Sequence, residues 1–330
     1  MREKEEWPMR RGSSALLAWN WWLVVLLSGC GWCSPRPPAE PSQASVALSD
    51  AGGLDEKELL FGVNSFLPVI QFRVEGEPDA HNRYPSVVRI RPQPLEFKAR
   101  LRQCSGVIIA PRLVLTAGHC VCWQRLASEP GGSPGHRVDS TSCVETASVE
   151  LFFYEYAPHM PPEHIASHVS QRYEGRVRPH PRFEVRLDAE GGVLTSQADL
   201  AVIVLDAPVP GGFRPIPLSR DGVALQQELV MVGFAYDEEL GLLHDTRLVH
   251  TSKVVAATDS VGERFRLESH HAHVFRGDSG GPCFRKAPGE PLLAGISTTG
   301  LGHEPTMVAL PSHWSWLHEE IRRAAESSSP

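Results

Sequence analysis

Between Pro85 and Ser297 short apolar runs recur along the chain, each bounded by turn-forming residues. They read "PSVVRI" (85–90), "SGVIIA" (105–110), "LVLTAG" (113–118), "VELFFY" (149–154), "LAVIVL" (200–205), "ELVMVGF" (228–234), "LVHTSKVV" (248–255) and "PLLAGIS" (291–297). Each run has the length of a strand and is rich in β-branched residues, which fit a pleated surface better than a helix. "APR", "GG" and "PGGF" punctuate them. Short strands separated by turns predict an all-β sandwich or barrel. The pattern changes only near the end, where "PSHWSWLHEEIRRAAES" sets Trp314, Leu317 and Ile321 at helical spacing. That spacing predicts one C-terminal α-helix, with Ser312 as its candidate N-cap. No internal repeat is visible.

The first residues follow a different rule. Arg10 and Arg11 precede the apolar run "ALLAWNWWLVVLL" (15–27). This is short for a membrane span, which needs about 20 apolar residues. A basic flank before such a run reads as an export signal. "LSGC" follows, ending at Cys30, and resembles a bacterial lipobox. Residues 1–29 are thus expected to be a lipoprotein signal peptide, with Cys30 carrying the lipid. The plainer alternative is an ordinary signal peptide that happens to end near a cysteine. The Pro-, Ser-, Ala- and Gly-rich stretch 30–54 cannot build a core and reads as a flexible tether. Residues 55–73 read as a short bridging segment that ends at Arg73, and 74–325 as the folded body. The protein is expected outside the cytoplasm, held at a bacterial membrane facing the periplasm or cell surface, and otherwise secreted.

Composition narrows the class further. The chain has 330 residues, 42% hydrophobic and 22% charged, as in a globular protein. A formal charge of −7 disfavours a nucleic-acid partner. There are seven cysteines, and an exported chain sits where disulfides persist. A Cys104–Cys120 bridge would staple the strand pair around "LVLTAGHC". Cys122 and Cys143 bracket an apparent inserted loop, "ASEPGGSPGHRVDSTSC", and are expected to pair. Cys283 is expected to be buried and unpaired, with Cys33 the alternative partner. His164 and His168 have i, i+4 spacing close to His159, but a third ligand is missing and Pro161-Pro162 interrupts the period. No metal and no other cofactor is expected.

Three sites carry candidate chemistry. "RGDSGGP" (276–282) sets Ser279 beside Asp278 among glycines, where the backbone must pass close to something. A nucleophilic serine needs a base, and the base needs an orienting group. His119 ends the apolar run "LVLTAGHC". Asp199 stands at the mouth of "LAVIVL" and needs a partner once buried. Taken singly, His119 also fits a satisfied half-buried histidine, and Asp199 a carboxylate capped by backbone N–H groups.

Together "TAGHC", "DLAVIVL" and "RGDSGGP", in the order His, Asp, Ser, resemble the trypsin/chymotrypsin-like serine peptidase family. "RYPSVVRI", "RPHPRF", "FRPIPL" and "PLLAGIST" are similar to smaller family motifs. The resemblance implies two packed six-stranded antiparallel β-barrels with a C-terminal α-helix. His119 and Asp199 would lie in the first half and Ser279 in the second, with the cleft between them. It implies Ser279 as nucleophile, His119 as general base and acid, Asp199 as its orienting partner, and the N–H groups of Gly277 and Ser279 as the oxyanion hole. "QFRVEGEP" is similar to an activation site, so 55–73 would be a pro-segment and cleavage after Arg73 would free Val74 to pair with Asp278. Backbone groups of Thr298, Thr299 and Gly300 would pair with an extended substrate.

The chain departs from the pattern at two places. Phe275 stands where animal trypsins have a cysteine, and His273 where they have the pocket aspartate. Cleavage after Arg or Lys is therefore not inferred. His270, His271, His273 and Arg276 would favour an acidic side chain, or else form a solvated polar loop. The expected function is a lipid-anchored serine endopeptidase working through an acyl-enzyme, a monomer acting on protein or peptide. The alternative is a catalytically silent surface binding or regulatory protein on the same scaffold. A simple esterase would share the triad.

Overall fold

The computed structural model describes residues 76–93, 104–127, 135–155, 167–189, 191–234, 236–237, 242–243, 246–257, 262–268, 278–286, 289–298 and 306–326. The first half contains β1 (Glu77–Pro78), β2 (Val87–Gln93), β3 (Cys104–Ala110), β4 (Leu113–Thr116), β5 (Arg125–Ala127), β6 (Gly135–Asp139), β7 (Thr146–Glu155), β8 (Ser167–Pro179), β9 (Glu184–Leu187), β10 (Val193–Gln197) and β11 (Ala201–Leu205). The second contains β12 (Glu228–Gly233), β13 (Tyr236–Asp237), β14 (Leu242–Leu243), β15 (Leu248–Ala257), β16 (Arg264–Leu267), β17 (Pro282–Arg285), β18 (Leu292–Thr298), β19 (Thr306–Ala309) and α1 (Trp314–Glu326).

Two closed antiparallel barrels result. The first runs β11-β4-β3-β2-β7-β8. The second runs β15-β12-β17-β18-β19-β16 and closes through β15–β16. The fold is thus the expected pair of six-stranded barrels with one C-terminal helix. Closure removes the exposed strand edges that an open sheet would leave. In β3 and β4 every residue is buried, so period-two alternation disappears. β16 and β9 keep it, because one face of each stays toward solvent.

The terminal segments tie the halves together. β1 pairs with β15 at Val249 and Leu248, so the start of the body joins the second barrel. The chain then turns back into β2 of the first. α1 follows the last strand of the second barrel, yet its Glu320 meets Arg178 of β8 at 3.1 Å. Between the barrels lies Arg247, whose side chain is wholly buried. Its guanidinium holds Asp79 at 3.1 Å and donates to the carbonyl of Phe152 at 2.9 Å. Its backbone N–H donates to the Tyr154 hydroxyl at 2.8 Å, and its charge lies over the Tyr154 ring. One residue just before β15 thus grips β7 and the segment ahead of β2.

Three sequence expectations change. The stretch read as an inserted loop between Cys122 and Cys143 contains β5 and β6, which pair with each other. β6 then pairs with β9, extending a four-stranded sheet outside the barrels. Ser312 does not cap the helix. A 3-10 turn, Leu310–His313, occupies the entry to α1, and the Ser312 hydroxyl donates to Gly262 O at 3.3 Å. The buried stripe of α1 is Leu317, Glu320 and Ala324, whereas Trp314 and Ile321 are only half-buried. Glu320 is buried because Arg178 and Arg323 neutralise it.

Removing one member of a buried ion pair leaves the other charged and unpaired, at a cost of about 3–5 kcal/mol. Arg247→Ala is therefore expected to lose stability on that scale in urea unfolding. Adding Asp79→Asn to it should restore part of the loss, since the orphaned charge is then gone.

Candidate active site

β4 is buried throughout and runs through Ala117 into one 3-10 turn, Gly118–Cys120, which carries His119. The turn is pinned on two sides. Cys120 is bonded to Cys104, the first residue of β3, with Cα atoms 6.0 Å apart. Closing a loop of this size stabilises by roughly 3 kcal/mol in the chain-entropy view. On the other side the Phe183 ring packs so closely on Gly118 that any Cβ there would lie 2.9 Å from ring carbons. Cys122 and Cys143 are also bonded, holding the β5–β6 hairpin next to the turn.

Asp199 reaches the same point from the start of β11. Ala198 adopts a left-handed φ of 44°, and the Leu200 N–H bonds back to Ala198 O at 2.7 Å. Such a conformation is costly for a residue with a Cβ and persists only where its surroundings hold it. The Asp199 carboxylate is fully buried. Its Oδ1 accepts the His119 backbone N–H at 2.8 Å, and its Oδ2 lies 2.7 Å from His119 Nδ1. An ionised carboxylate only accepts, so Nδ1 carries the proton and Nε2 keeps a free lone pair. His180 supports this corner through its N–H, which donates to Leu200 O at 2.9 Å. Burial, the nearby His313 and Arg182 lower its pKa to about 4, so His180 is neutral at physiological pH.

Ser279 comes from the second barrel and is locked onto the first. Its carbonyl accepts the Ser105 N–H at 2.9 Å. Gly280 N–H donates to Ser297 O at 2.7 Å, and Ser297 N–H to Gly281 O at 2.9 Å. Gly280 has a φ of 79°, and a Cβ there would overlap Thr116 Oγ1 and the Ser105 carbonyl. This position therefore requires glycine for both its angle and its contact. The Cys120 sulfur touches both partners, at 3.9 Å from His119 Nε2 and 3.5 Å from Ser279 O. The candidate ligand atoms of Cys104, His119 and Cys120 lie within 4.8 Å of one another, but both sulfurs are consumed by the disulfide.

Asp278 is buried, and its Oδ1 has no hydrogen-bond partner among the described residues. Its carboxylate fills the space where a Gly233 side chain would stand. Burial alone raises its pKa from 3.8 to about 8. Thr298 lies buried in β18, and its hydroxyl donates to Thr306 O at 3.2 Å. Cys283 is a buried free thiol on β17. Cys30, Arg73, Val74, His273, Gly277, Thr299 and Gly300 lie outside the described residues, as do residues 1–75 as a whole.

Sequence reasoning missed Ser105, which joins three parts of the site. Its N–H holds Ser279, its carbonyl accepts the Thr116 hydroxyl at 2.9 Å, and its Oγ accepts the Phe234 N–H at 2.9 Å. The available signal was a lone hydroxyl in the wholly buried run "CSGVIIA". Phe183 was visible only as part of "RPHPRF".

With this geometry in hand, a family model described as trypsin-like peptidase domain matches residues 104–294. The chain belongs to that family. No curated protein matches it.

The orphaned Asp278 carboxyl has a measurable consequence. A carboxyl whose folded pKa is raised favours folding fully below its unfolded value of 3.8, and that contribution is lost as pH rises through about 8. In the intact chain, Asp278→Asn should therefore leave Tm unchanged near pH 4 and raise it near pH 8. A Tm difference between variant and parent that is flat across this window would contradict the unpartnered assignment.

Proposed function

We propose that this trypsin-like peptidase is a serine endopeptidase, exported and anchored by lipid on Cys30, that hydrolyses peptide bonds through an acyl-enzyme. The observation that carries the reading is the two-point grip of Asp199 on His119, beside a Ser279 turn bonded to the strands that bear that histidine.

In the proposed mechanism, Ser279 Oγ attacks the scissile carbonyl carbon while His119 Nε2 takes the hydroxyl proton. Asp199 stabilises the resulting imidazolium through Nδ1–H. The backbone N–H of Ser279, joined by that of Gly277, stabilises the oxyanion, each donor being worth about 3 kcal/mol in the transition state. Nε2 then protonates the leaving amine as the C–N bond breaks. Water repeats the sequence on the acyl-enzyme and releases the acid, restoring Ser279 and His119. Substrate would lie extended along β18, using backbone groups at Thr298, Thr299 and Gly300. His273 and its neighbouring histidines would favour an acidic side chain in the pocket.

Cleavage after Arg73 would switch the site on. Gly76 packs against Leu248 and Val249, and Leu248 is the ladder partner of Gly233, on which Asp278 rests. Val74 is two residues upstream of Gly76, and two extended residues span roughly 7 Å. Its freed ammonium would supply a partner that Asp278 lacks among the described residues, and would return the carboxyl to its charged form.

A fluorophosphonate probe tests the reading directly. After Arg-specific cleavage, Ser279 should be labelled in native protein and not in heat-denatured protein or in Ser279→Ala. Native cleaved protein that takes no label would mean a silent scaffold. Asp199→Asn should lower kcat by about 10⁴-fold with the fold retained, because the wrong tautomer is then held. For the anchor, an alkyne-tagged fatty acid supplied during expression should label the parent chain and not Cys30→Ser. Equal labelling of both would remove lipidation at that residue.

A further inference from the structure

Away from the site, a cleft of about 270 Å³ is lined by Arg83, Tyr84, Val230, Arg285, Lys286 and Pro291, with Gly289 at its border. Three of these side chains are cations, on a chain whose formal charge is −7. They come from two distant segments, one ahead of β2 and one at the end of β17, so only the tertiary fold gathers them.

Their charge is in surplus. Arg83 approaches Asp79 at 3.7 Å, but that carboxylate is already engaged by the buried Arg247 at 3.1 Å and by the N–H groups of Arg83 and Tyr84. Lys286 meets Glu228 at 3.2 Å, with both side chains half exposed, a pairing worth little in water. Arg285 is fixed by the backbone carbonyls of Asp221 and Gly222 and by Gln227 Oε1, contacts that position it without cancelling its charge. Its Nε is buried and has no hydrogen-bond partner among the described residues. A buried donor left unmade is unusual enough to require a cause. Tyr84 is stacked on Phe284 at 5.3 Å between centroids, which holds its ring rigid. The charges of Arg83 and Lys286 both act on its phenol, and burial keeps that phenol protonated, hence a donor.

We propose that this cleft is a binding site for a compact oxyanion, a carboxylate, phosphate or sulfate group, presented on a peptide. Arg83 and Lys286 supply the charge, Tyr84 a rigid hydroxyl donor, and Val230 and Pro291 an apolar wall for the carrier of the group. The volume is just below that of drug-sized pockets, which suits one side chain and not a whole ligand. β17 runs from Pro282 to Arg285, so the cleft lies one strand away from the Ser279 turn. An acidic segment of a substrate or regulator held there would be held by the same rigid element. The binding claim stands independently of catalysis.

The test is calorimetric titration of the intact protein at low ionic strength with acetyl-Glu-Glu-Glu-amide, with its Gln counterpart, and with inorganic phosphate. Binding of the Glu peptide, displaced by phosphate, is expected, with no binding of the Gln peptide. Arg83→Gln combined with Lys286→Gln should weaken it at least tenfold, with Arg322→Gln on exposed α1 as the control. Circular dichroism and Tm confirm that each variant is folded. Phosphate binding that the peptide does not improve would assign the cleft to a free anion and overturn the peptide part of the proposal. Equal binding of the Glu and Gln peptides, or equal weakening by the Arg322 control, would overturn the site itself.

Discussion

A guanidinium with no access to water holds the two barrels in one relation. Arg247 is expensive to bury, and it is tolerated because nearly every donor is answered by Asp79, Asn82, Phe152 or Val87. Those partners belong to the segment ahead of β2, to β2 itself and to β7, whereas Arg247 leads into β15 of the other barrel. A hydrophobic contact at this place would tolerate sliding. A multidentate charged one does not, because displacement would leave several buried polar groups unmade together. The candidate site depends on this rigidity, since His119 and Asp199 come from one half and Ser279 from the other.

The second constraint is local to the site. Ser105 and Gly280 make the Ser279 turn part of the first barrel, although its strand belongs to the second. The disulfide, the Phe183 ring and the Asp199 carboxylate hold the His119 turn from three directions. The Ser279 turn is thus held mainly by backbone hydrogen bonds and the His119 turn mainly by side chains. The strained Ala198 and the orphaned Asp278 are exceptions to the low-energy rule. Each adjoins a residue of the candidate site, Asp199 and Ser279 respectively, where such costs are usually kept.

Much of the architecture could be read before any coordinates. The eight apolar runs are strands, because burial on one or both faces leaves a local imprint on residue type. β8 was not legible as a strand. Exposed Arg172, Glu174 and Arg176 alternate with Tyr173, Gly175 and Val177, and Gly175 sits against Ile203 where a larger side chain would announce a core position. β5 and β6 were hidden beside a Pro- and Gly-rich stretch, since their stability comes from pairing with each other and, for β6, with β9, and not from their own propensity. Ser312 failed as a cap because a 3-10 turn precedes the helix, a choice made by packing and not by the hydroxyl.

The linear sequence by itself determined the three candidate residue types, their order, and the glycines that let the serine turn pass close to its neighbours. Those are matters of chemical identity and of allowed backbone angles, and both are carried within a few residues. Only the tertiary structure decided that Arg247 is buried between the barrels, that Ser105 joins serine and histidine segments, that Glu320 is buried, and that Arg83 and Lys286 line one cleft. A residue's local pattern states whether one of its sides avoids water. It does not state which distant group will arrive to satisfy a charge or a hydrogen bond, because that depends on how separate segments pack once the barrels close.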